Sequence, residues 1–367
     1  MSSKTGIEWT DSTWSPIRAR VRPDAVAIAL EKGYTSLVQI AERMAGRVGQ
    51  HCEHVSPGCE HCYAETNNHR CLPGNGTGLP YDRRSRDLVE TFVDEKVLQQ
   101  PLKWKPVPDP TVERKIVEAN LSFMRITEKV RRRRIFVENQ SDIFGEWVTD
   151  EMLNRMFAVM ALCPSSIFQV LTKRPERMLR YFEADYPHPG SARVLAVRLA
   201  SAPLLSFARD KRMAYSFPLP NVWLGVSVEN QAAADERIPL LLRTPAAVRF
   251  ISAEPLLGLI GLAYRFPHAY GMRDDRFWVI CGGESGSGAR PMNPDWARSL
   301  RDQCAAAGVP FFFKQWGEFA PGPHSNNPSK EIPIHCSTGG LMHHAGKKAA
   351  GALLDGREWK QFPEVAK

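Results

Sequence analysis

Three cysteines crowd into the stretch Gln50-His51-Cys52-Glu53-His54-Val55-Ser56-Pro57-Gly58-Cys59-Glu60-His61-Cys62-Tyr63-Ala64-Glu65. Cys52, Cys59 and Cys62 stand in a C-x6-C-x2-C spacing. The two-residue gap lets two thiolates reach one centre from a single turn. Within the longer gap, Pro57-Gly58 can fold the chain back so that Cys52 reaches the same centre. Thiolates held this close repel one another, so a metal is the economical explanation. The other cysteines, Cys71, Cys163, Cys281, Cys304 and Cys336, are scattered. Eight cysteines in 367 residues do not read as a disulfide framework, whereas a local cluster in a reducing compartment points to metal binding or catalysis.

These residue types leave the centre open. A structural zinc site takes four ligands, and Cys71, His51, His54, His61 or His69 could be the fourth. A [4Fe–4S] cluster on three thiolates instead keeps one iron with a vacant position. Free cysteine is often only a small buried hydrophobe, which explains Cys163, Cys281 and Cys304 well and the loop badly.

The elements that must position this loop are legible from residue 134 onward. Short apolar runs at Arg134–Asn139, Ile167–Thr172, Val222–Val228, Val248–Ser252, Phe277–Cys281 and Pro310–Lys314 alternate with helical patterns. Helices are expected over Asp150–Leu162, after Pro175, over Ala232–Leu242 and over Pro294–Ala307. With earlier strands near Ile7–Trp14 and Leu88–Phe92, the count reaches seven or eight. Near-continuous apolar strands joined by helices indicate a parallel sheet covered on both faces. The expected fold is α/β, a full or partial (β/α) barrel over residues 1–320. Insertions are expected at about 17–50 and 184–217, with a small C-terminal extension over 321–367.

In such barrels, polar groups at the C-terminal strand ends face the site. Ser141 and Asp142 follow one strand, and Thr172, Lys173 and Arg174 end the next. Ser227, Glu229 and Asn230 come third, then Glu254, then Glu284 with Ser285, and last Lys314, Gln315 and Trp316. Any one of these alone reads as a solvated loop or a helix cap; six placements on one rim suggest a shared pocket. Trp9, Trp14 and Trp223 read as packing, while Trp316 beside Lys314 could stack on a base.

Hydrophobic residues make up 43% and charged residues 24%, ordinary for a globular protein. No apolar run is long enough for a bilayer span, and the N-terminus lacks the apolar region of a signal peptide, so a cytoplasmic protein is expected. The formal charge of +8 permits a nucleic-acid or nucleotide partner, and Arg131–Arg134 supplies half of that excess.

Three cysteines ending in Cys59-Glu60-His61-Cys62-Tyr63, beside an α/β barrel, resemble the cluster loop of the radical S-adenosylmethionine enzymes. More closely, the chain resembles an uncharacterised three-cysteine branch common in phages and prophages. That similarity runs through Thr5–Thr10 with Trp14, Val55–Glu65, Phe168–Met178, Pro220–Ile238, Val248–Gly258, Gly282–Trp296 and Pro310–Trp316. Leu171-Thr172-Lys173 is similar to the spore photoproduct lyase-like group. The first cysteine gap is six residues here, against three in the superfamily. Gly282-Gly283-Glu284 looks like the superfamily's Gly-Gly-Glu segment but falls on a late strand, so its role is not carried over.

The resemblance implies a [4Fe–4S] cluster on Cys52, Cys59 and Cys62, with S-adenosylmethionine bound at the open iron. It implies a 5′-deoxyadenosyl radical and a flavodoxin- or ferredoxin-like reductant. Lys173 or Arg174 would meet the cofactor carboxylate, and Ser227, Glu229 or Asn230 the ribose hydroxyls. Glu254 and Glu284 would orient substrate or handle protons, Lys173 would share in the catalytic set, and Lys314 would meet a phosphate. The alternative of a different class is a zinc-stabilised nucleic-acid-binding protein without catalysis.

Overall fold

A computed structural model describes residues 7–70, 76–108, 130–183, 192–208, 217–262, 276–322, 331–333 and 341–364. Strands β1 (Ser12–Trp14) and β2 (Ile17–Val21) lead into helices α1 (Ala25–Glu31) and α2 (Thr35–Met44). After the short β3 (Val48–Gly49) come the cysteine loop, α3 (Tyr63–His69), α4 (Arg83–Asp87), β4 (Val89–Val93) and α5 (Glu95–Leu98). A ribbon of β5 (Val107–Pro108) and β6 (Val130–Arg131) precedes the repeating part.

That part runs β7 (Arg133–Val137), α6 (Asp150–Ala161), β8 (Ser166–Thr172), α7 (Pro175–Glu183) and α8 (Ala192–Ser201). It continues with β9 (Val222–Ser227), α9 (Gln231–Arg243), β10 (Val248–Ala253), β11 (Phe277–Gly282), α10 (Pro294–Ala306) and β12 (Phe311–Gln315). The tail holds β13 (Phe319–Pro321), β14 (Glu331–Pro333), β15 (Leu341–His344), α11 (Lys347–Ala350) and the pair β16 (Leu353–Leu354) and β17 (Arg357–Glu358).

Seven strands form one parallel sheet in the order β1-β7-β8-β9-β10-β11-β12. Alternation along each strand divides the core. Ile135, Val137, Phe168, Val170, Leu224 and Val279 belong to the core shared with helix residues such as Leu153, Met156, Phe157 and Met160. Phe136, Trp223, Phe250, Trp278 and Phe312 gather on the opposite face around Trp9. That second cluster reveals the curvature. Phe136 on the second strand lies 4.7 Å from the Trp9 ring, and Trp278 on the sixth lies 6.1 Å from it. A flat sheet would hold those two strands about 19 Å apart, four spacings of roughly 4.8 Å. The sheet is therefore curled around an aromatic interior, as a partial β/α barrel.

The Leu88–Phe92 run does form a strand, β4, but not in the barrel. It pairs antiparallel with β2 in a separate three-stranded sheet, β3-β2-β4. Its pattern is only half-buried, as suits a small side sheet. Residues 17–50 belong to the same layer, whose own core joins Val21, Ala25, Ala29, Leu37, Ala41 and Leu88. Of the expected Ile7–Trp14 strand, only Ser12–Trp14 is extended; residues 7–10 turn, and the Thr10 amide donates to the Ile7 carbonyl. Within 184–217 the described part includes α8, and the rest lies outside the described residues.

Candidate functional site

The cysteine loop lies across the C-terminal rim of the sheet, tied to it strand by strand. At the end of β7, the Ser141 hydroxyl donates to the His51 carbonyl at 2.6 Å and the Tyr81 hydroxyl to the Gln140 carbonyl at 2.9 Å. The Tyr63 hydroxyl donates to the Asn139 carbonyl. At the end of β8, Arg174 donates to the Glu53 carbonyl at 3.1 Å, and Lys173 Nζ lies 3.4 Å from Cys59 Sγ. Past β9, Glu229 accepts from the Ser56 hydroxyl. Past β11, Arg290 donates to the Pro57 carbonyl at 2.9 Å and to Glu60 at 2.8 Å.

Below this bridge is a cleft of about 240 Å³, lined by all three loop cysteines and by residues from the ends of every strand from β7 to β12. Its apolar floor includes Trp9, Phe136 and Leu171; its polar wall includes Thr172, Ser227, Ser252 and Glu254. Among the described residues, no three His, Cys, Asp or Glu side chains are grouped so as to hold a metal ion.

The three thiols differ electrostatically. Burial pushes Cys59 up, but the Lys173 ammonium and hydrogen bonds from backbone at Val55 and Ser56 outweigh it, so Cys59 is lowered. Burial dominates at Cys52, with Asp142 adding to it, and at Cys62, and both are raised. One thiolate is thus favoured by the protein, while burial disfavours the other two.

The cations predicted to meet a ligand carboxylate are committed to protein groups. Lys173 Nζ lies 3.1 Å from Glu229 Oε1, and Glu229 also takes Arg237 at 3.1 Å with its side chain wholly buried. Burial pulls the Lys173 ammonium down, but Cys59 and Glu229 more than offset that and leave it raised. Arg174 pairs with Asp142 at 3.1 Å and lies over the Trp147 ring. Asp142 also accepts from Thr172 at 2.7 Å and from the Phe144 and Lys173 amides.

Ser227, Glu254, Glu284 and Lys314 line the cleft. Lys314 Nζ and Glu254 Oε1 form an ion pair, and Glu284 is gripped by both sides of the Arg290 fork at 2.6 and 2.8 Å. Asn230 is placed as the N-cap of α9, accepting from the Ala233 amide at 3.0 Å. Trp316 Nε1 donates to the Leu353 carbonyl at 2.8 Å and its ring is packed against Phe313. The Arg131–Arg134 run is largely engaged within the chain. Arg131 forks onto Asp11 at 2.7 Å, Arg133 donates to Lys105 and Ser12, and Arg134 covers the Phe362 ring at 3.8 Å.

Two residues of the site were not legible in the sequence. Glu138 lines the cleft with a positive φ of 53° and is 2% exposed. Its Oε1 accepts from the Ile17 amide at 2.9 Å, while buried Oε2 finds no partner among the described residues. Burial raises its carboxyl to about 8. A non-glycine residue held there and an orphaned buried oxygen are each costly, and such costs gather at functional sites. The only available signal was its place at a strand end beside Asn139. Arg290, just past a Gly-Ser-Gly run, was not singled out: Glu284 is six residues away, but the loop partners Glu60 and Pro57 lie 230 and 233 residues away.

Residues 43–363 match the family described as protein of unknown function (DUF5131), and the chain belongs to that family. No curated protein matches. Among solved structures, a cysteine-to-alanine mutant of spore photoproduct lyase is similar at a TM-score of 0.29 and 10% identity, covering 78% of this chain. The match spans 65% of that structure's chain, and at this score it carries no argument. Among the described residues, no helix is long and apolar enough to cross a membrane.

Proposed function

We propose that this member of the DUF5131 family is a radical S-adenosylmethionine enzyme of the cytoplasm, with Cys52, Cys59 and Cys62 holding a [4Fe–4S] cluster. The observation that carries this reading is one cleft at the C-terminal strand ends, lined by three cysteines of a single loop. The donor set suits the cluster: soft thiolates, one already favoured as the anion by Lys173, and none beyond three lining the cleft among the described residues. When bound, cluster and cofactor together supply one-electron cleavage of S-adenosylmethionine to methionine and a 5′-deoxyadenosyl radical, with a flavodoxin- or ferredoxin-like donor providing the electron.

The chain's own residues supply placement. Lys173, Arg174 and Glu229 fix the loop from below, with its three cysteines along the wall of one cleft. Glu138 lines the cleft, and its unpartnered Oε2 would find a hydrogen-bond partner on the bound ligand. Ser227 and Ser252, side by side on β9 and β10, offer hydroxyls to ribose. Glu254 with Lys314 faces the remaining space and would orient substrate. The aromatic floor excludes water from a reactive centre. A nucleic-acid or nucleotide substrate is proposed on the chain's excess of positive charge.

Anaerobic reconstitution with iron and sulfide, then reduction in the presence of S-adenosylmethionine, tests the reading. The expected result is about four irons and four sulfides per chain with release of 5′-deoxyadenosine. A colourless protein that takes up zinc and retains no iron would overturn it.

A further inference from the structure

The cysteine loop is fastened on one side by buried charges and on the other by a single arginine reaching over from the segment after β11. Arg290 makes three hydrogen bonds to Glu284, from its amide and Nε to Oε2 at 2.8 Å and from Nη2 to Oε1 at 2.6 Å. The same guanidinium extends to Glu60 Oε2 at 2.8 Å and to the Pro57 carbonyl at 2.9 Å. Glu284 is itself anchored. A Cβ on Gly283 would collide with the Trp316 carbonyl, and one on Gly317 with the Glu284 carbonyl, so these two backbones touch. Gly288, at φ 78°, brings the segment against the His61 ring, where a Cβ would lie 2.8 Å from Cε1. Pro57, Glu60 and His61 all lie within two residues of Cys59 or Cys62.

We propose that Arg290, seated by Glu284, is a positioning residue that latches the Pro57–Cys62 arm of the loop and so fixes where the Cys59 and Cys62 sulfurs stand. Its consequence for a cluster rests on the function proposed above; the latch itself is a property of the metal-free chain. Glu284 thereby belongs to the loop's support, and its carboxylate is spent on Arg290: burial pushes it up, and the guanidinium more than reverses that. A lysine at 290 would keep the charge but reach only one of these partners at a time.

The test uses the full chain without iron, treated with N-ethylmaleimide and followed at each cysteine by mass spectrometry. Arg290→Ala should speed labelling of Cys59 and Cys62 by about tenfold, the effect of losing charged hydrogen bonds from a locally opening segment. Buried Cys163, Cys281 and Cys304 should stay protected, reporting an intact fold. Unchanged rates at Cys59 and Cys62 would overturn the latch. If Arg290→Ala exposes every cysteine, Arg290→Lys decides instead: it must show loop-selective acceleration or the proposal fails. After reconstitution, Arg290→Ala should also surrender iron to a chelator faster than wild type. Wild-type protein that retains no iron would sink the cluster reading while leaving the labelling result to judge the latch.

Discussion

The two halves of the rim use similar residues for different work. On the β7–β9 side, Lys173, Arg174 and Glu229 engage the cysteine loop, and Asp142 holds Arg174 and the Lys173 amide in place. On the β10–β12 side, Glu254 and Lys314 pair with each other and leave the cleft open between them and the loop. The lesson is that a lysine at the end of a barrel strand does not disclose its role by position. Lys173 sits between a thiol and a wholly buried carboxylate, so it is a structural strut with an electrostatic effect on Cys59. Lys314 meets one partly exposed carboxylate, and both line the cleft, where a ligand can reach them.

The strongest break in this comparison is at the loop itself. Cys59→Ala should abolish iron retention after anaerobic reconstitution, measured as iron and sulfide per chain. Retention at the wild-type level would remove the β7–β9 side's proposed purpose. Next come the two lysines, changed alike. Lys173→Met leaves Glu229 with Arg237 as its remaining cation, and should cost about 2–4 kcal/mol by urea unfolding. It should also slow maleimide labelling of Cys59 near neutral pH, because the nearby cation that favours the thiolate is gone.

Glu138 supplies a pH-dependent test at the boundary between loop and floor. Its carboxyl is raised to about 8 by burial, above the ordinary range near 4.5. Between those values the folded state holds a proton that the unfolded state releases, so this group lowers stability as pH rises through the window. Glu138→Gln removes that titration. The stability difference should move in the variant's favour by roughly 4 kcal/mol from about pH 5 to pH 8.5. A pH-independent difference would mean the carboxyl is already ionised in the fold. The smallest effect is expected at Lys314→Met: about 1 kcal/mol in stability and unchanged iron content, with substrate turnover lost. Should Lys314→Met and Lys173→Met prove alike in stability and labelling, the division of the rim is mistaken.

The strands and helices of the repeating part could be read from periodicity because each is a local pattern: apolar runs such as Phe277–Cys281, and helix openings such as Pro175. The cysteine loop was legible for the same reason, as a spacing within eleven positions. What stayed hidden depends on distant partners. Residues 17–50 read as an insertion because β2 finds its mate, β4, only after the loop has intervened. The partners of Lys173 stayed hidden because nothing local to it announces Glu229 or Cys59. Glu138 looked like an ordinary strand residue, since neither its backbone angle nor its orphaned oxygen leaves a trace in composition.

The extension beyond residue 321 returns to the barrel in a way that bears on the order of synthesis. The Phe313 amide donates to the Trp359 carbonyl, the Gln361 amide to the Phe311 carbonyl, and Trp278 Nε1 to the Gln361 carbonyl. Phe362 then sets its ring 5.1 Å from Trp278 and 5.3 Å from Phe312, inside the curl of the sheet. On the ribosome, β12 would emerge with its outer edge bare and the aromatic interior unstoppered until roughly fifty further residues had been added. A chaperone waiting on this protein would find its last sticky seam at β12.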